Sequence, residues 1–186
     1  PSDPGSVRFV LTLDADTRLP PGAARELVAA FRHPLNRPVI EPHSGDLRAG
    51  YTVLQPRVEA DAASMLETTF AAVMTGESGV DLYAQTVSNV HHDLFGRAIF
   101  AGKGLYQVGA FERRLRGRVP ENRLLSHDLF EGVHGHVGLV SDVALFEQVP
   151  ANVVQHAMRL HRWVRGDWQL LPWLVARRPL GRHGRL

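Results

Sequence analysis

Two carboxylates, Asp14 and Asp16, flank a single alanine directly after the apolar run Arg8-Phe9-Val10-Leu11-Thr12-Leu13. Adjacent acidic groups repel unless a cation or a basic partner neutralises them. A hard divalent ion such as Mg²⁺ or Mn²⁺, held by such oxygens, can bridge to a diphosphate. The same spacing suits a strand-end turn whose carboxylate caps the next helix, and the triplet alone does not separate the two readings. A third acid, Asp128, lies in Ser126-His127-Asp128. There an ionised carboxylate can take a proton from an attacking hydroxyl. Equally, Ser126 can cap a helix with Asp128 in its first turn, where the macrodipole favours negative charge.

The densest segment is Arg159-Leu160-His161-Arg162-Trp163-Val164-Arg165-Gly166-Asp167-Trp168. Arginine binds phosphate bidentately and stacks on aromatic faces. At helical spacing Arg159, His161 and Arg162 fall near one face and can converge on a diphosphate. The plainer reading is an amphipathic helix end with packed Trp and solvated Arg residues. Gly166 costs such a helix about 1 kcal/mol, which a close approach or a break would explain. Lys103, between Gly102 and Gly104, is placed to contact phosphate or sugar, or to sit in a flexible surface loop. It matches no P-loop pattern. His91-His92-Asp93 and His134-Gly135-His136 lack a clear third ligand, which argues against zinc.

These residues need elements to position them. The run 8–13 reads as a short buried strand ending at the acidic turn. Leu27, Val28 and Phe31 recur at helical spacing and predict a helix over 22–32, stopped by His33-Pro34. Residues 35–50 read as loop. Tyr51-Thr52-Val53-Leu54-Gln55-Pro56 is a second strand. A helix is expected over 61–74, capped by Asp61 and stopped by Gly76, with Met65, Leu66, Phe70 and Val73 inward. Leu105-Tyr106-Gln107-Val108 is a short extended run, and 127–133 a short helix. Leu139-Val140 and Val143-Ala144-Leu145-Phe146 are strand material. A last helix runs over 153–171 to Pro172. Strands alternating with helices predict an α/β layer architecture.

The chain has 186 residues, 44% of them hydrophobic, enough for one domain with a real core. The formal net charge is +2, and much of the excess lies in the C-terminal arginines. Such a cluster can meet nucleic acid, an anionic lipid surface or a phosphorylated small molecule. Cysteine is absent, which excludes disulfides and thiolate metal sites. No apolar run is long enough to span a bilayer.

In order, Thr12-Leu13-Asp14-Ala15-Asp16-Thr17, Leu54-Gln55-Pro56-Arg57, Gly102-Lys103-Gly104, Ser126-His127-Asp128-Leu129-Phe130-Glu131-Gly132 and His161-Arg162-Trp163-Val164-Arg165-Gly166-Asp167-Trp168 resemble the glycosyltransferase region of cyclic β-1,2-glucan synthases. Pro34-Leu35-Asn36-Arg37-Pro38 and Val119-Pro120-Glu121-Asn122 strengthen the match. More broadly the pattern is similar to processive family-two glycosyltransferases such as cellulose synthase. The resemblance implies a partial nucleotide-sugar glycosyltransferase type A fold, a mixed sheet flanked by helices. It implies inverting transfer of glucose from UDP-glucose to a growing β-1,2-glucan, or, as the alternative, a family-two enzyme making another polysaccharide. A non-catalytic basic module on an anionic surface is the other class of reading.

Carried over by position, Asp14 and Asp16 fall on the metal and diphosphate motif, implying a divalent cation, Mg or Mn. Asp128 falls on the catalytic base. Arg159, Arg162 and Trp163 fall on the motif that closes over the diphosphate and the acceptor end, with Lys103 and Trp163 as acceptor contacts. His127 stands where the broad family usually has an acid, and Arg159 where many members have Gln. The implied partners are UDP-glucose and a glucan acceptor, with no nucleic acid. The implied place is the cytoplasmic face of the inner membrane, as the soluble part of a larger membrane protein. In that fold the nucleotide base is bound by strands preceding the Asp-x-Asp strand. Residues 1–186 are therefore expected to be a catalytic core fragment lacking its N-terminal nucleotide-binding strands.

Overall fold

The apolar run before the acidic turn forms strand β1 (Phe9–Thr12), and the chain returns after the turn as β2 (Thr17–Arg18). In the computed structural model, residues 7–75, 90–116, 124 and 127–171 are described. Helix α1 (Ala23–Arg32) begins after Gly22 and stops at His33, as Pro34 dictates. A 3-10 turn and the hairpin of β3 (Val39–Ile40) and β4 (Leu47–Ala49) follow. The main sheet is completed by β5 (Val53–Ala60), β6 (Gly104–Gln107) and β7 (Val137–Glu147). Its order is β1-β6-β5-β7-β2. The pair β5–β7 is parallel, and β6 runs antiparallel to both β1 and β5. Strands β1, β5 and β7 therefore point the same way, and β6 begins at the edge where they end. That edge, beyond the carboxyl ends of the strands, is where α/β sheets bind ligands.

Alternation along β5 places Leu54 and Val53 on opposite faces. Leu54 joins Leu105, Val140 and Val143 under Ala23, Leu27 and Phe31, which sit four residues apart on α1. Burying a side chain such as Leu27 or Phe31 contributes about 1.5–3 kcal/mol. Val53 joins Ala98, Phe100 and Val137 on the other face, against Phe111 of α5 (Val108–Leu115). Helix α6 (Asp128–Gly135) packs Phe130 on Leu115 of α5. The result is a mixed sheet flanked by helices, as the sequence implied. No helix among the described residues is long and apolar enough to cross a membrane.

Pro56 lies inside β5, a strand paired on both sides at its start. Two features make room for it. The β5–β6 pairing covers Val53 and Leu54 only, and the β5–β7 register shifts between Pro56 and Arg57. Proline is confined to such bulges and unpaired edges because it donates no ladder bond.

Some local expectations need correction. The helix expected over 61–74 is broken into α2 (Ala62–Met65) and α3 (Thr69–Thr75). Asp61 caps α2 as predicted, accepting the Ser64 N–H. Its expected apolar face is only partly inward: Met65 and Phe70 are half-buried, Leu66 and Val73 are exposed, and Ser64 and Ala71 are buried. Thr68 is the reason, because its hydroxyl starts a new helix by accepting the Ala71 N–H. The loop over 35–50 contains the β3–β4 hairpin, a short helix α4 (Val90–Phe95) precedes β6, and α5 follows directly on β6. The stops expected at Gly76 and Pro172, the cap expected from Ser126 and the Val119-Pro120-Glu121-Asn122 segment lie outside the described residues.

Candidate active site

The acidic turn is built at the end of β1. The Asp14 carbonyl accepts the Thr17 N–H at 3.1 Å, which folds the chain back into β2 beside β7. Asp14 and Asp16 are exposed there. Beside the turn, Thr12 Oγ1 donates to the Gly102 carbonyl at 3.2 Å and accepts the Gly104 N–H at 3.3 Å.

Gln55 holds the same loop from beneath. Its buried amide donates to the Ile99 carbonyl at 3.0 Å and accepts the Ala101 N–H at 2.7 Å. Both glycines of Gly102-Lys103-Gly104 are required. Gly102 has φ +82, and a Cβ there would stand 2.9 Å from Asp128 Oδ2. A Cβ at Gly104 would stand 2.9 Å from the Leu54 carbonyl.

Lys103 is therefore no flexible surface residue. It is 4% exposed, because a buried ammonium is tolerated when it is paired. Its Nζ lies 3.0 Å from Asp14 Oδ2 and pairs closely with Glu147 Oε1. Burial by itself would lower the Lys103 pKa; Glu147 and then Asp14 outweigh it and hold the ammonium above its ordinary range. Glu147, the last residue of β7, is buried and also accepts from Thr17 Oγ1 at 3.2 Å. Its Oε2 accepts from Arg159 Nη2 at 3.0 Å.

Asp128 opens α6 in its first turn, with no side-chain cap from His127. Burial pushes its carboxyl above the usual range, Lys103 pulls the other way, and Asp14 adds to the rise. Asp167 raises it a little further. Helix α7 (Val153–Trp168) starts at Asn152, whose side chain accepts the Gln155 N–H. Arg159 points from α7 to Glu147 and lies 4.7 Å over the Trp163 ring. Gly166 is buried within the unbroken helix. Arg162, three residues beyond Arg159, is exposed and forms no ion pair among the described residues.

The structure thus brings together Asp14, Asp16, Lys103, Asp128, Arg159 and, through Arg159, Trp163. Carboxylate oxygens of Asp14, Asp16 and Glu147 lie within 4.8 Å of one another. Of these, the exposed carboxylates of Asp14 and Asp16 offer the oxygen ligands a hard divalent cation such as Mg²⁺ or Mn²⁺ takes. The sequence pattern does not single out Glu147. Its one local signal is its place at the end of an apolar strand run, where Asp14 had drawn attention.

No family model matches the chain. The chain is 45% identical over 172 residues, 92% of its length, to cyclic beta-(1,2)-glucan synthase NdvB of Rhizobium meliloti (strain 1021). It spans about 6% of that relative's length. The resemblance drawn from the ordered motifs is thereby borne out along nearly the whole chain.

Proposed function

We propose that this chain carries the transfer site of an inverting glucosyltransferase that takes UDP-glucose and extends a β-1,2-glucan. The observation that carries the reading is the convergence of Asp14, Lys103, Asp128 and Arg159 at one sheet edge. The similarity to a cyclic beta-(1,2)-glucan synthase supports the choice of sugar and linkage.

In this reading Asp128 takes the proton of an acceptor 2-hydroxyl. The freed oxygen attacks the anomeric carbon from the side opposite UDP. The new C–O bond forms as the bond from that carbon to the diphosphate breaks, which inverts the centre. A base whose pKa is raised toward the working pH is better matched to this transfer. Arg159 and Arg162 would neutralise charge growing on the departing diphosphate, and Trp163 would offer its ring to a sugar. A divalent ion held by Asp14 and Asp16 would add electrostatic stabilisation of the leaving group. The burial of Lys103 suits a charge beside Asp14 better than the acceptor contact implied by the resemblance. The chain would act at the cytoplasmic face of the inner membrane, within a larger membrane protein.

The test is Asp128→Asn in the full-length protein that carries this chain. Asn keeps the size and a side-chain oxygen at the helix start but cannot act as a base. Turnover of UDP-glucose should fall at least about 10²-fold. Near-normal turnover would assign Asp128 to the helix end alone.

A further inference from the structure

We infer that Glu147 is a positioning residue that aims the Arg159 guanidinium at the diphosphate of the donor. The inference rests on the transferase reading above and adds a residue to it.

Both Glu147 oxygens are already committed. Oε1 takes Lys103 and Thr17, and Oε2 takes Arg159. It is therefore poorly placed to serve as a third cation ligand, although its oxygens lie near those of Asp14 and Asp16. Its partners come from three stretches otherwise remote in sequence: the residue after the acidic turn, the glycine-flanked lysine, and α7. One buried carboxylate thus ties all three to the end of β7.

The donor count separates the two cations. An ammonium has three N–H donors and a guanidinium five. Lys103 spends its three on Asp14, Glu147 and, at 3.4 Å, the Ala101 carbonyl. It can supply charge to the site but has no donor left for a ligand. Arg159 spends one donor on Glu147, and its Cζ lies 4.7 Å from the centre of the Trp163 ring. The tryptophan contact and the bond to Glu147 together fix the fork, and its other N–H groups, unpaired among the described residues, remain for the donor phosphates. Without Glu147, Arg159 would keep its charge but lose its direction, and Lys103 would keep Asp14 as its one carboxylate partner.

Glu147→Gln preserves size, removes the charge and places an amide N–H where a cation donates. In the full-length protein, UDP affinity measured by calorimetry with Mn²⁺ present should weaken at least about 10-fold, as loss of a supporting partner typically does. The KM for UDP-glucose should rise in step, with kcat changing less. Arg159→Gln should give the same split. The double variant should be no worse than the worse single, because both remove one arrangement. Glu147→Asp, one methylene shorter, should not restore affinity.

Unchanged UDP affinity in Glu147→Gln, or losses that multiply in the double variant, overturns the inference. Should Glu147→Gln not fold, Arg159→Gln decides, and unchanged UDP affinity there overturns the inference as well. A wild-type protein that binds no UDP sinks the transferase reading first. UDP binding that Glu147→Gln leaves intact sinks this inference alone.

Discussion

Asp128 and Gly102 depend on each other. The carboxylate lies where a side chain at position 102 would be, so Gly102 makes the space that Asp128 occupies. The burial that results is what raises the Asp128 pKa, with Lys103 opposing. A raised carboxyl pKa means the folded protein binds that proton more tightly than the unfolded chain. Ionised Asp128 therefore costs stability above its folded pKa, and the cost fades as pH falls through it. Two outcomes follow for the full-length protein. The acid limb of kcat/KM should lie above the usual carboxylate range. Asp128→Asn should raise the melting temperature at neutral pH while abolishing turnover, and the gain should shrink as the pH is lowered. A variant less stable than wild type at neutral pH would show that the carboxylate stabilises the fold.

At the scale of elements, β5 connects the core to the site. Its first residues pair with β6, and from Gln55 onward no strand among the described residues pairs with that edge. Gln55 fills the gap with its side chain, bonding the backbone of Ile99 and Ala101 just ahead of Lys103. Gln55→Leu matches the site's burial but leaves a carbonyl and an N–H without their partner. It should destabilise the fold by about 1–3 kcal/mol in urea unfolding. It should also speed hydrogen exchange at Ala101 and Gly104. Equal exchange in the variant would mean the loop is held by Thr12 alone. Helix α7 behaves similarly: Arg159, Trp163 and Asp167 recur every fourth residue, which gives the site one stripe of charge and aromatic surface.

Over the whole molecule, the site exists only when the sheet does. Asp14 follows β1, Lys103 precedes β6, Glu147 ends β7, Asp128 opens α6 and Arg159 comes from α7. A ligand that needs all of these binds the folded form alone and stabilises it by mass action. At 100 times its Kd, UDP with Mn²⁺ should add about 2.7 kcal/mol to unfolding. A chelator should remove that increment if the ion sits on Asp14 and Asp16. Asp14→Ala and Asp16→Ala should each abolish Mn²⁺-dependent UDP-glucose binding while the protein still melts cooperatively. Binding retained in both variants would remove the metal assignment.

Local chemistry made much of this legible beforehand. A continuous apolar run located β1, helical spacing located α1, Pro34 marked a boundary, and the ordered motifs carried the resemblance. Such signals act over a few residues, so they can be read along the chain. They misjudged 61–74 because helical spacing of apolar residues does not say whether a core lies beneath them. Only the tertiary structure decided that Lys103 is buried and that Glu147 binds it. Those contacts depend on how β2 and β7 pair and where β6 starts. Those pairings join segments remote in sequence, Thr12 with Gly104 and Thr17 with Glu147, so reading one segment alone does not fix them.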